Sequence, residues 1–268
     1  MARDLHSTRG EFVARRPRAQ RRRMFVVILV SLALAAAIGG AVYLVWFSNV
    51  FTVTGISVEG ARLTDSDEVL RTLANKLDTR PLLPRLFKRE NILYWPHSLE
   101  MHGEELNEPA IDSVTLHTDL ARKIVSIVVH EREFAGVWCA DRCVGFDPQG
   151  IAYFDTPDLE GSLLLNIQDA STTAPALGTR VLPGAQFDHM MRTVDAVRRA
   201  GIAITRVTVR DADLREWAIY PVRGGPLLLS FDFVPNELDK VLKNIVEHAD
   251  WNALQYVDLR VENRVYYK

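Results

Sequence analysis

An uncharged run of 24 residues, Met24–Phe47, lies near the N-terminus and limits the folds open to this chain. A helix rises ~1.5 Å per residue, so this run reaches ~36 Å and exceeds the ~30 Å hydrocarbon core of a bilayer. Tyr43 and Trp46 near its far end are typical of the membrane interface. The run therefore predicts a transmembrane helix over residues 24–47.

Two other interpretations of this run fit its length and composition less well. A cleavable signal peptide has an apolar region of roughly 7–15 residues followed by small residues, and Ala35–Ala37 would suit the cleavage site. The apolar run continues to Phe47, however, which favours a retained anchor. A buried helix of a soluble protein is usually polar on one side, whereas here Ser31 is the main polar residue.

Charge is distributed unevenly about the predicted membrane helix. Residues 1–23 contain eight arginines and two acidic residues, whereas the whole chain has a formal charge of −2. Because basic flanks stay on the cytoplasmic side, we expect a cytoplasmic N-terminus and an extracytoplasmic remainder. Residues 1–23 contain few apolar side chains and are predicted to be a disordered tail. The expected membrane topology is sufficient to explain these arginines. A tail that binds nucleic acid or lipid is the alternative, because it would have a similar composition.

Residues 48–132 predict a small module in the order strand, helix, helix, strand, strand. The first strand spans residues 51–60 and ends at Gly60, and the first helix follows, with Thr64 or Ser66 as its N-cap. Residues 78–88 contain two prolines and are predicted to be a loop. The second helix covers residues 97–106, and the last two strands cover residues 111–117 and 123–131.

Residues 133–268 predict a mixed, β-rich domain, so the fold class is α+β. Its early part is a meander of short strands at 134–138, 143–147, 150–155 and 163–167. Amphipathic helices are predicted at 185–200, which Gly201 ends, and at 236–248, with Asn236 as cap and Val246 among the inward residues. Further strands are predicted at 203–209, 216–220, 227–233, 256–260 and 264–268, and three tryptophans are expected to be core residues: Trp138, Trp217 and Trp251.

The order of these motifs resembles a known family. Val53–Gly60 resembles the V-x-G-type opening strand of a POTRA domain, and Ile124–Arg132 resembles the strand that ends it in Glu-Arg. Trp138 and Phe146–Phe154 resemble the start of the domain that follows, and Val257–Arg260 resembles its penultimate strand. With the Arg-rich tail and single membrane helix, the layout is similar to that of the bacterial cell division family FtsQ, called DivIB in other bacteria.

The resemblance implies a POTRA domain (β-α-α-β-β) at 48–132 and an FtsQ-type β domain at 133–268. It implies a non-catalytic scaffold at the division septum of the cytoplasmic membrane, which links early and late division proteins. Its partners would be FtsB- and FtsL-type proteins, and its role would be to regulate septal peptidoglycan synthesis. In FtsQ-like proteins the last strand receives an FtsB segment. This match implies the following partner-binding residues: Arg260, Val261, Asn263, Arg264, Val265 and Tyr266.

The final predicted strand, Val261–Lys268, has features that indicate an edge position independently of the resemblance. The sequence stops almost where the strand does, so we expect its outer side to be an uncovered edge that can accept another strand. An ordinary closing strand packed on the last helix is the alternative. Since side chains alternate along a strand, only one of Tyr266 and Tyr267 is expected to be core.

The sequence contains none of the motifs that mark common enzymes. It has no phosphate-binding loop, no G-x-S-x-G, no H-E-x-x-H and no dinucleotide fingerprint. We therefore expect no enzymatic activity, cofactor, metal, nucleic acid or small-molecule substrate. A membrane-anchored extracytoplasmic cell-wall enzyme and a POTRA-type assembly or transport protein are the alternative functions. The second would need a membrane barrel, for which the sequence after Asn236 is too short.

Cys139 and Cys143 are the only cysteines and flank a predicted hairpin turn. Across such a turn two cysteines can come within disulfide range, and an extracytoplasmic location permits oxidation. Free thiols and a metal site remain alternatives, although zinc would need further ligands. The disulfide is the favoured interpretation.

Overall fold

The computed structural model describes residues 18–79, 87–158, 164–169, 173–211 and 215–268. Most of the predicted N-terminal tail therefore lies outside the described residues. The same holds for residues 80–86 of the predicted loop and for residue 163, the first of a predicted strand.

The N-terminal helix, α1, spans Arg18–Trp46. Its segment Arg22–Trp46 is long and apolar enough to cross a membrane, and none of its apolar window is buried against the rest of the chain. The helix begins before the predicted Met24 because the preceding arginines are also good helix formers. A short 3₁₀ helix, Asn49–Phe51, connects α1 to the first sheet.

The first sheet has four strands in the order β1-β4-β3-β2. β1 is parallel to β4, and the other neighbours are antiparallel. A helix, α2, follows β1, and a short helix, α3, follows β2. The bounds are β1 Gly55–Glu59, α2 Ser66–Asp78, β2 Ser98–His102, α3 Gly103–Leu106, β3 Ile111–Asp119 and β4 Ile124–Glu131.

The predicted helix over residues 97–106 is wrong for most of its length. Residues 98–102 form the edge strand β2, in which Met101 is buried and its neighbours Glu100 and His102 are exposed. Only Gly103–Leu106 is helical. Gly103 is required at this junction, because a Cβ atom there would lie 1.9 Å from the carbonyl oxygen of Ile111. The element order is therefore strand, helix, strand, short helix, strand, strand.

Helix α2 is the amphipathic helix that the sequence predicts, with Val69, Leu73 and Leu77 buried. Its N-cap differs from the prediction. Asp65, rather than Thr64 or Ser66, caps it, and the Asp65 carboxylate accepts the N–H of Asp67 at 3.1 Å.

The second sheet has nine strands in the order β13-β12-β11-β10-β9-β8-β5-β6-β7, and two helices pack on it. The pairs β5–β8, β8–β9 and β11–β12 are parallel, and the others are antiparallel. The bounds are β5 Gly136–Cys139, β6 Cys143–Phe146, β7 Ala152–Thr156, β8 Leu165–Asp169, α4 Gly184–Arg199, β9 Ile204–Asp211, β10 Glu216–Pro221, β11 Leu227–Ser230, α5 Leu238–His248, β12 Val257–Asp258 and β13 Tyr266–Tyr267.

The helices of this sheet agree with the predicted periodicity, with two corrections. Helix α4 ends before Gly201, whose positive φ of 82° suits the helix stop. Glu237 rather than Asn236 occupies the N-cap position of α5, without a side-chain capping hydrogen bond, and the Asn236 side chain donates to Asn263. Val246 is exposed rather than inward, because it lies beyond the stripe that packs on the sheet.

Each sheet has its own hydrophobic cluster. Trp138 and Trp217 are fully buried in the second cluster, as predicted, whereas Trp251 is only partly buried at its margin. The connection between the sheets falls between the end of β4 at Glu131 and the start of β5 at Gly136. The fold is therefore mixed α and β, with an apolar N-terminal helix and a β-rich remainder.

Candidate functional site at the C-terminal sheet edge

Strand β13 is the terminal strand of the nine-stranded sheet. It pairs with β12 in the register Val257↔Tyr267 and Asp258↔Tyr266. The same pairing continues to Lys268, whose N–H donates to the carbonyl of Tyr256 at 3.3 Å. On its other side β13 pairs with no strand of the described chain, so it has the edge position that the sequence predicts.

The strand is much shorter than the predicted Val261–Lys268. Residues 261–263 form a turn in which the N–H of Arg264 donates to the carbonyl of Val261 at 3.2 Å. Asn263 has a φ of +59°, a left-handed conformation that asparagine tolerates better than most residues. The turn reverses the chain after β12 and leaves only Tyr266 and Tyr267 in ladder geometry.

The outer side of β13 offers backbone groups to another chain. Peptide groups alternate between the two sides of a strand. Since Tyr266 and Lys268 face β12, the N–H and C=O groups of Val265 and Tyr267 point away from the sheet. An unpaired row of this kind is a template for strand addition.

The side chains correct the expectation that one tyrosine is core. Tyr266 and Tyr267 are both about half exposed. Val265 is the residue that packs against the hydrophobic cluster, where it is partly buried. The short strand lies at the margin of the sheet. The Val265 side chain covers the core there, and the rings of Tyr266 and Tyr267 remain on the surface.

Helix α5 lies beside β13, and the two elements border a groove that we call the edge groove. It consists of two hollows of about 350 and 220 Å³. Val241 and Val265 line both hollows. The first hollow also has Lys240, Asn244, Ile245 and Tyr267 as its walls, and the second includes Leu259, Val261, Asn263 and Arg264.

The helical wall of the edge groove is the part that sequence reasoning missed. The available signal was Val241, a partly buried position at the boundary of the apolar stripe of α5. Its proximity to the C-terminus of the chain could be known only from the fold.

Arg260 is engaged inside the chain rather than free at the edge. Its guanidinium forms ion pairs with Asp258 at 2.6 Å and Glu216 at 2.9 Å. The hydrogen bonds from Arg260 lower the pKa of the Asp258 carboxyl, and the same pair raises the pKa of Arg260. This network holds the end of β12 against β10, which positions the turn that leads to β13.

The other predicted site residues are exposed around that turn. Val261, Asn263 and Arg264 are all exposed. The Arg264 guanidinium lies 3.3 Å from the hydroxyl oxygen of Tyr266, to which it can donate. The amide of Asn263 accepts a hydrogen bond from Asn236 at 3.1 Å, which ties the turn to the segment before α5. The predicted residues thus lie around one turn, and Arg260 is the partly buried member whose guanidinium is held by Asp258 and Glu216.

Cys139 and Cys143 form a disulfide in the structure, across the β5–β6 hairpin. Asp158 lies beside them, with a carboxylate oxygen 3.6 Å from the sulfur of Cys139. These three residues could ligate a metal only after reduction, because zinc binds thiolates and a disulfide has none.

A comparison with protein-family models and with curated proteins finds no match to this chain.

Proposed function

We propose that this protein is a non-catalytic scaffold of the bacterial division machinery, of the FtsQ/DivIB type. A single span, α1, anchors it in the cytoplasmic membrane. Residues 48–132 are a POTRA-type domain, and residues 133–268 are the domain that binds FtsB- and FtsL-type partners. Through these partners it links early and late division proteins at the septum and regulates septal peptidoglycan synthesis.

The observation that carries this proposal is the unpaired outer side of β13 beside the edge groove. Strand addition supplies affinity through main-chain hydrogen bonds, and adjacent pockets supply specificity through side chains. The outward peptide groups of Val265 and Tyr267 offer the hydrogen bonds, and the apolar floor around Val241 offers the pocket. An FtsB-type segment that pairs with β13 would cover both.

The orientation in the membrane follows from charge. Arginines at 21–23 stand directly before the apolar part of α1, and basic residues stay on the cytoplasmic side. The two sheets would then lie outside the cytoplasm. Protease added to spheroplasts should digest residues 48–268, and survival of that part with loss of the N-terminal tail would contradict the proposed topology.

The binding proposal is tested by Val265→Pro. Proline removes an outward N–H group of the edge and leaves the tyrosines unchanged. Val265→Ala is the matched control, because it shortens the same side chain but keeps the N–H. Binding of an FtsB-type ectodomain by the full-length variants in detergent is measured by pull-down, with circular dichroism as the check on folding.

We expect Val265→Pro to abolish binding and Val265→Ala to retain it. Deletion of Arg264–Lys268 should also abolish binding while the first sheet stays folded. Undiminished binding by a folded Val265→Pro variant would show that the partner does not pair with this edge.

A further inference from the structure

The two ends of the first sheet differ in their distance from α1. The side-chain amide of Asn91 donates to the carbonyl of Val45, in the last turn of α1, at 2.8 Å. Asn91 also forms a backbone bridge with Thr52, just before β1. The end of the sheet where β1 begins is therefore adjacent to the end of α1, and we call it the proximal end.

The turn between β3 and β4, residues 120–123, lies at this proximal end. The N–H of Thr54 donates to the carbonyl of Lys123 at 2.9 Å, and the Thr54 hydroxyl donates to the carbonyl of Arg122 at 2.9 Å. Thr54 is only two residues from Thr52, a span of at most ~7 Å. The turn is thus held beside the exit of α1 by backbone contacts.

The surface of this turn combines an apolar and a basic side chain. Leu120 is 54% exposed, and Arg122 next to it points into solvent. One oxygen of the neighbouring Asp119 carboxylate accepts the N–H groups of Ala121 at 2.9 Å and Arg122 at 3.0 Å. The other oxygen lies 3.7 Å from the Arg122 guanidinium, but that side chain is 80% exposed and keeps donors open to a further anion. Exposed apolar residues beside cations are typical of surfaces that lie in the membrane interface.

The linker after α1 has the same apolar character. Phe47 and Val50 are both largely exposed and lie between the last turn of α1 and Thr52. With Leu120 they place three exposed apolar side chains at the proximal end. The Phe47 ring stacks on Tyr43 of α1 at a centroid distance of 5.8 Å, and most of its surface remains open to solvent.

Charge is polarised along the first module. Among the residues that the structure describes, the proximal end carries more cations than acids: Lys76, Lys88, Arg89, Arg122 and Lys123 against Asp78, Glu90 and Asp119. Asp78 pairs with Arg89 and Asp119 with Arg122, which leaves a net positive charge. At the opposite end, acids greatly exceed arginines: Glu59, Asp65, Asp67, Glu68, Glu104, Glu105, Glu108, Asp112 and Glu131 against Arg62 and Arg132. A negatively charged bilayer surface attracts the first end and repels the second.

We propose that the turn at residues 120–123, together with Phe47 and Val50, is a second membrane-contact site that takes anionic phospholipid headgroups. Leu120 inserts at the level of the headgroups, and Arg122 and Lys123 bind lipid phosphates. This contact fixes the orientation of the first sheet relative to the bilayer, which the linker after α1 would otherwise leave free to vary. The inference rests on the proposed membrane span, since the bilayer must lie at the end of α1.

The test uses full-length protein in nanodiscs that contain phosphatidylglycerol. Single cysteines replace Leu120, Leu63 or Leu34 and carry an environment-sensitive fluorophore, and the Cys139–Cys143 disulfide keeps the native sulfurs unreactive. Leu63 is the matched control, because it is 70% exposed at the opposite end of the same sheet, beside Glu131. Leu34 lies in the middle of α1 and reports the span itself.

Lipids with a spin label near the headgroup or along the acyl chain are the quenchers. We expect L120C to lose most of its fluorescence to the headgroup label, L34C to the acyl label, and L63C to neither. Loss of quenching at L120C while L34C remains quenched would overturn this inference and leave the proposed span intact. Absence of quenching at L34C would overturn the span and this inference together.

A charge reversal identifies the lipid class. Arg122→Glu with Lys123→Glu in the L120C background, or replacement of the anionic lipid by phosphatidylcholine, should weaken the contact by roughly fivefold for each lost cation–lipid interaction. Quenching that is insensitive to both changes would overturn the assignment to anionic lipid. Equal quenching of L63C and L120C would also overturn the site, because contact would then not be confined to the proximal end.

Discussion

Replacing Asp147 by alanine should strongly destabilise the connection between the two sheets. Asp147 is 1% exposed and lies 2.6 Å from Arg132, whose side chain is 8% exposed. The second Asp147 oxygen accepts the N–H groups of Gln149 at 2.9 Å and Ile151 at 2.8 Å. Arg132 follows the last strand of the first sheet, and Asp147 follows β6 of the second, so this ion pair joins the two modules.

The expected loss in the free energy of unfolding follows from the burial of this ion pair. Removing one partner of a buried ion pair leaves the other charge uncompensated, which costs about 3–5 kcal/mol. Arg132 keeps a hydrogen bond to the carbonyl of Pro109 at 3.0 Å and the carboxylate of Asp112 at 3.5 Å, but Asp112 is 59% exposed and, because water screens it, compensates the buried charge only weakly. Asp147→Ala should therefore lower the free energy of unfolding by about 3–5 kcal/mol.

The chain supplies its own control for this prediction. Asp112 lies 3.5 Å from the same guanidinium but is 59% exposed. Since exposed ion pairs contribute about 0–1 kcal/mol, Asp112→Ala should change stability little. The comparison separates the effect of burial from the effect of pairing with Arg132.

The assay is urea unfolding of the full-length protein in detergent, followed by the fluorescence of the buried Trp138 and Trp217. The variant Arg132→Met and the double variant with Asp147→Ala complete a thermodynamic cycle. We expect the double variant to be less destabilised than the sum of the single variants. A loss below about 1 kcal/mol for Asp147→Ala, or equal losses for Asp147→Ala and Asp112→Ala, would refute the argument from burial.

Three further predictions concern ionisation and the disulfide. Burial would raise the pKa of Glu131, but hydrogen bonds from the N–H groups of residues 62–64 outweigh burial and hold the pKa below its ordinary value of 4.5. The ionised Glu131 therefore stabilises the fold above that pH, and this stabilisation is lost as the pH falls. Glu131→Gln should reduce the loss of stability at acid pH in a curve of unfolding free energy against pH. Burial raises the pKa of Tyr94 to about 12, so the free energy of unfolding should fall between pH 10 and 12, where Tyr94 ionises in the unfolded chain before it does so in the folded one. Tyr94→Phe should remove that fall when unfolding is measured at alkaline pH. Thiol labelling of non-reduced, denatured protein should find neither Cys139 nor Cys143 free, and Cys139→Ala should still fold because so small a loop restricts the unfolded chain little.

The candidate site was only partly predictable from the sequence. The resemblance located the C-terminal segment, and the predicted edge position agrees with the topology. The ion pair of Arg260 with Asp258 is local, whereas its ion pair with Glu216 depends on where β10 lies, 44 residues away in sequence. The exposure of both tyrosines likewise depends on the packing of the sheet margin. The helical wall of the edge groove likewise exists only once α5 packs beside β13.

The elements that could be predicted from the sequence are those whose signal is local. The length and apolarity of α1 are sufficient for a span, and the 3.6-residue periodicity of α2 and α4 defines their buried faces. Gly201 ends α4 because its backbone conformation is nearly free of steric penalty there. Each of these signals lies within about one helix length of chain.

Elements that depend on partners distant in sequence became visible only in the folded chain. Residues 98–102 are a strand because β3 supplies backbone partners and Gly103 lets the chain approach Ile111 closely. Strand β13 is short because the turn at Asn263 sets where pairing with β12 can begin. A strand gains its hydrogen bonds from a neighbour remote in sequence, whereas a helix forms them within itself, so local periodicity predicts helices better than strand limits.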